Sequence, residues 1–180
     1  MADGTLKVGT ITTSSGSGTI TLGQSGETIT SSATMGNGMG KVLQVVNSTF
    51  STQVSSTSNT FADTGLSASI TPSSSSSKIL IFVNINGIYK ITNNTGISLK
   101  LVRGSTDIHN IESLAGYTDN TNSNAVGSAS TSYLDSPSTT SSTTYKITFN
   151  SFNNNATVSI NANSVSAGSV STITLMEIAG

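Results

Sequence analysis

The chain has 180 residues, 34% hydrophobic and only 8% charged, with a formal net charge of −1. Charged residues usually make up roughly a quarter of a soluble domain, so serine, threonine and asparagine must build this surface. The basic residues are scattered from Lys7 to Lys146 and form no patch able to neutralise phosphates, which argues against nucleic acid as a partner. No apolar run approaches the roughly 20 residues of a spanning helix, which argues against a membrane, and Cys 0 leaves no disulfide framework and no thiolate chemistry. The opening MADGTLKV lacks the apolar centre of a secretory signal. Synthesis in a cytoplasm is expected, with release by another route such as assembly into a particle.

In chain order the first region is a repeat. Thr-Ile-Thr recurs with a nine-residue period that places isoleucine at Ile11, Ile20 and Ile29. Each repeat reads as a short strand and a Gly/Ser-rich turn, with isoleucine on one face and threonine on the other. One isoleucine per repeat is too little to offset an ordering cost of roughly 1 to 2 kcal/mol per residue. The segment is expected to order only when several copies bring their isoleucines together; the alternative is a flexible low-complexity tail. The turns lack the aspartates and glycine pairs of calcium-binding nonapeptides. MGNGMG, Met35 to Gly40, breaks the pattern, so residues 1–40 are read as an N-terminal β-repeat arm and 41–180 as a head domain.

The second region reads as successive strands: KVLQVV from Lys41, FSTQV from Phe50, LSASI from Leu66, and KILIFVNINGIYKI from Lys78 to Ile91. The last is apolar on both faces at its start, which predicts a strand covered from both sides. ISLKLVRG follows, with Ile97, Leu99 and Leu101 on one face; then come ASTSYLD, TTYKITF, ATVSI and STITLMEI. Asn153 to Asn155 suit a hairpin turn, because asparagine tolerates left-handed backbone. No window carries an amphipathic helical pattern. The fold class expected is all-β: an antiparallel jelly-roll β-sandwich, in which long strands returning across two sheets cover each other's apolar faces.

The series SKILIFVNINGIYK, LKLVRGST, SYLDSPSTTSSTTYKITF and STITLMEIAG resembles a module of bacteriophage fibre and virion-surface proteins, notably of phages of aquatic bacteria and cyanobacteria. The resemblance covers most of the stretch from Leu43 to Gly180, and GTLKVGTITTSSGSGTITLGQSGETI is similar to the start of such fibre proteins. It implies a homotrimeric, β-rich particle protein with a jelly-roll head similar in outline to tumour-necrosis-factor-like domains. Its partners would be sister copies and other capsid or tail proteins, and its place the virion surface.

Chemistry has few footholds. His109 is the only histidine and lies near Asp107 and Glu112; zinc takes several nitrogen or sulfur ligands, so a surface loop is the expectation, with no metal and no cofactor. Asp107, Glu112, Asp119 and Asp135 could supply a glycosidase pair, but aromatics are 5% of the chain and tryptophan is absent. No nucleophile elbow occurs, and no enzymatic activity is expected. Arg103 and Glu177 fall where strand alternation assigns apolar residues. They either face solvent at strand ends or meet a partner at a subunit contact. The loop AGYTDNTNSN, with Tyr117, Asp119, Asn120 and Asn122, is the candidate surface for a host glycan. The functions in play are a capsid decoration or short fibre, a tail-fibre receptor-binding protein, and, last, a depolymerase.

Overall fold

The computed structural model describes residues 41–162 and 168–180. Among them there is no helix, and ten strands form two antiparallel sheets packed as a β-sandwich. They are β1 (Val42–Phe50), β2 (Val54–Ser56), β3 (Ala62–Ile70), β4 (Lys78–Lys90), β5 (Thr95–Arg103), β6 (Thr106–Thr118), β7 (Asn124–Asp135), β8 (Thr143–Ser151), β9 (Val158–Ile160) and β10 (Ser171–Ile178).

The six-stranded sheet runs β1-β10-β4-β9-β2, with β7 also paired to β4. Because β7 follows β4 along its length, β10 and β9 share the other edge of β4, and β1 and β2 pair with them as one interrupted outer file. The four-stranded sheet is ordered β3-β8-β5-β6. Alternation explains which side faces in. Ile79, Ile81, Val83 and Ile85 of β4, with Ile173 and Leu175 of β10, meet Leu99 and Leu101 of β5 and Tyr145, Ile147 and Phe149 of β8 in a single apolar core.

Breaks in the ladders are closed by side chains, as buried backbone groups require. At the register shift between Asp63 and Ser67, Thr64 Oγ1 donates to the Ile147 carbonyl at 2.8 Å and accepts from Leu66 N–H at 3.1 Å. Gly65, at φ 93°, lies where a Cβ would come within 2.6 Å of the Phe50 ring; positive φ and close approach both demand glycine there. Asn161, fully buried, bridges the interrupted file: its Nδ2 donates to the carbonyls of Phe50 (3.0 Å) and Thr52 (3.2 Å), and its Oδ1 accepts from Ser171 Oγ (2.6 Å).

Most strands match the sequence reading, and four features depart from it. Phe50 to Val54 is no continuous strand: β1 ends at Phe50 and β2 begins at Val54. His109 is not in a loop: it lies in β6, whose register against β5 shifts repeatedly. Each bulge resets the alternation, so the inward Ile108 and Ile111 are spaced by three rather than two and the strand shows no period-two signal. Asn153 to Asn155 do turn, with Asn155 at φ 68°, yet β8 and β9 belong to different sheets, so the turn crosses the sandwich and is no hairpin. β4 is covered on one side only: Ile81 is buried while Phe82 is 44% exposed.

Candidate interaction surface

The pairing registers place one apolar residue from each of four strands at the same level on the outward face of the six-stranded sheet. Val45 of β1 lies opposite Met176 of β10, Met176 opposite Leu80 of β4, and Leu80 opposite Leu134 of β7. Val45 is 55% and Leu134 54% exposed. The next level is Asn47, Thr174, Phe82 and Ser132, with Asn47 Nδ2 donating to Thr174 Oγ1 at 2.8 Å. Beside Phe82 the face hollows into a shallow groove of about 440 Å³ lined by Asn84, Ser130, Ser132, Thr172 and Thr174. On the other side of the row, Val42, Ile178 and Lys78 complete the patch. Across these levels Lys78 is the one outward charge, and its Nζ donates to Ser136 Oγ at 2.7 Å.

The outward face of the four-stranded sheet is built differently. Lys100 pairs with Asp107 at 2.7 Å and Lys146 with Asp63 at 2.8 Å, both partly exposed. Lys100 also sits 4.1 Å from the centroid of the Phe61 ring.

Arg103 and Glu177 both find partners inside the chain, so neither an empty solvent-facing strand end nor a neighbouring subunit is needed to account for them. Arg103 Nη1 donates to both oxygens of Asp135 at 2.8 Å. The Tyr145 hydroxyl donates to Asp135 Oδ2 at 2.6 Å. Since Asp135 ends β7 while Arg103 and Tyr145 lie on β5 and β8, this cluster ties the two sheets together. The hydrogen bond to Asp135 raises the Arg103 pKa; burial, then donation to Asp135, pushes the Tyr145 phenol well above its ordinary range and keeps it a donor. Glu177 is fully buried on the inward face of β10. Burial alone would raise its pKa, but it accepts from Gln44 Nε2 at 2.6 Å, Ser73 Oγ at 2.6 Å and Ser73 N–H at 2.7 Å. These bonds prevail and hold the carboxyl at about 2.

The remaining candidate residues do not converge on a catalytic site. His109 Nε2 lies 3.1 Å from Thr131 Oγ1 and its ring stacks on Tyr133. Asp107 is engaged by Lys100, Glu112 accepts from the N–H groups of Ser113 and Leu114, and Asp135 is committed to Arg103 and Tyr145. Among the described residues no three potential metal ligands cluster, and no helix is long and apolar enough to cross a membrane. Of the proposed receptor loop, Tyr117 belongs to β6, and Asp119, Asn120 and Asn122 lie on the connection to β7. Tyr117 meets Phe152 edge to face at 6.0 Å, and both residues are about half exposed. The connection is pinned by Lys90, a buried lysine whose Nζ donates to the Thr118 hydroxyl, to the Thr118 carbonyl at 3.1 Å and to the Thr121 carbonyl at 2.9 Å. Ile11, Ile20 and Ile29 lie outside the described residues.

The sequence reading missed both the cross-strand row and the Lys90 clamp. Only the both-sided apolarity of β4 pointed to the row, because Val45, Leu80, Leu134 and Met176 are brought level by registers that no local pattern encodes. Compared with known families and curated proteins, the chain matches no family model and no curated sequence.

Proposed function

We propose that this chain is a non-enzymatic structural protein of a bacteriophage particle surface, a homotrimeric capsid decoration or short fibre with a jelly-roll head. The observation that supports the jelly-roll head is the strand order. Read as files, the sheets run β1/β2, β10/β9, β4, β7 and β3, β8, β5, β6. Apart from the β5–β6 hairpin and the two interrupted files, each connection crosses from one sheet to the other, as two interlocked Greek keys require. The phage setting rests on the resemblance of the strand segments and of the nine-residue repeat. Trimer formation is supported by the need of that repeat for sister copies and by an outward face left apolar. The mechanism is mechanical: N-terminal repeats hold copies together and fix them to the particle, and heads face outward.

The test is a census by mass spectrometry of purified particles. Hundreds of copies indicate a capsid decoration, a few dozen or fewer a tail fibre, and absence from the particle overturns the reading. A second reading, tail-fibre recognition of a host surface glycan, draws on the exposed Tyr117–Phe152 ring pair beside a connection held still by Lys90. Preformed aromatic platforms with neighbouring amides suit sugars. Isolated protein that blocks adsorption, and Tyr117→Ala protein that does not, is its expected signature.

A further inference from the structure

We infer that the outward face of the six-stranded sheet, centred on Val45, Met176, Leu80, Leu134 and Phe82, is where the head packs against a second copy of this chain. The inference rests on the homotrimeric reading above and names its contact surface. Four strands far apart in sequence each place one apolar side chain at one level, which makes a contiguous patch rather than scattered surface residues. The opposite side of β4 is covered by the other sheet, and this side is covered by nothing within the described chain: Phe82 and Leu134 stay 44% and 54% exposed.

Charge and connectivity select the occupant. With Lys78 as the one outward charge, an acidic or basic partner has little here to pair with, whereas a copy of the same chain brings an equally charge-poor patch whose desolvation costs little. Asn47, Ser130, Ser132 and Thr174 offer donors and acceptors together, so identical copies can satisfy one another. The 40 residues preceding Lys41 join the head beside Val42 and Leu43, at the edge of the patch. Association of the repeats in different copies therefore concentrates these faces next to each other, an intramolecular advantage independent of any new contact. Three copies set about an axis with this face inward cover the row together.

The absence of cysteine makes the test clean. In the full-length chain, Leu134→Cys and, on the other sheet, exposed Ser67→Cys are each treated with a short bis-maleimide, and the wild type and a Val45→Asp/Leu134→Asp variant are sedimented. Far-UV circular dichroism checks that folding is kept, and Leu134→Ser serves if the double variant does not fold. Expected are a trimeric wild type, covalent dimers from Leu134→Cys but not from Ser67→Cys, and association weakened more than about tenfold in the aspartate variant. A trimeric wild type whose Leu134→Cys form fails to cross-link and whose aspartate variant stays trimeric overturns the face while leaving the oligomer standing. A monomeric wild type overturns both. A monomer in which the Leu134→Cys thiol resists reagent shows that the chain's own N-terminal segment covers the face, and overturns the inference as well.

Discussion

The two outward faces of the sandwich draw on the same serine- and threonine-rich alphabet and differ in where the charges went. On the four-stranded sheet Asp63, Lys100, Asp107 and Lys146 stand in water as two ion pairs; on the six-stranded sheet a row of valine, methionine and leucine occupies the corresponding outward positions. Removing an ion pair from water costs several kcal/mol per ion, whereas covering apolar surface is favourable at roughly 25 cal/mol per Å². In a chain with so few charges, their placement decides which face stays wet and which is free to be covered. The acidic groups that enter the interior, Asp135 and Glu177, are each met by at least two donors, and the buried Lys90 is met by three acceptors; all three act at the joints between elements rather than on either face.

The largest effect is expected where the two sheets are tied. Asp135→Ala strands Arg103 and the buried Tyr145 hydroxyl, and should lower unfolding stability by about 3 kcal/mol in urea titrations at fixed protein concentration. Adding Arg103→Met and Tyr145→Phe should recover part of that loss, since the apolar replacements leave nothing unpaired.

Next comes Glu177→Gln, expected to cost about 1 to 2 kcal/mol at neutral pH. Because the folded carboxyl is held at about 2, below its ordinary 4.5, its contribution is fully present above 4.5 and is lost as pH falls toward 2. The gap between wild type and variant should therefore close through that window; a gap that stays constant down to pH 2 would show that the carboxylate is not what Gln44 and Ser73 stabilise.

Smaller still, and decisive for the contrast of faces, Leu134→Asp should change the stability of dissociated protein by no more than about 0.5 kcal/mol, as exposed substitutions do, while weakening association. Ser67→Asp on the other sheet should alter neither. Smallest of all, Lys100→Ala and Lys146→Ala should each cost less than about 1 kcal/mol, an effect that fades at about 1 M salt. The proposed oligomer should persist under the same salt, and its dissociation by salt alone would mean that ion pairs hold the copies together.

Particular residues show how far local pattern reaches. Ile173 and Leu175 alternate so regularly that β10 and its inward side follow from the sequence, and Glu177 continues that alternation to an inward position. Ile108 and Ile111 defeat the same logic, because bulges opposite β5 change their spacing. Arg103 reads only as a misplaced charge until β7 brings Asp135 to within 2.8 Å of it. Asn161 looks like one more polar residue in an asparagine-rich run, although it joins the halves of two broken strands.

The sequence by itself determined the all-β class, most strand positions and the inward residues, because side-chain direction along a strand is a local property with a period of two. Sheet order, the partners of the buried charges and the level at which four apolar side chains line up were decided only by the tertiary structure. Each depends on register between segments distant in the chain, and a shift of one residue there would turn the same side chains to the opposite face.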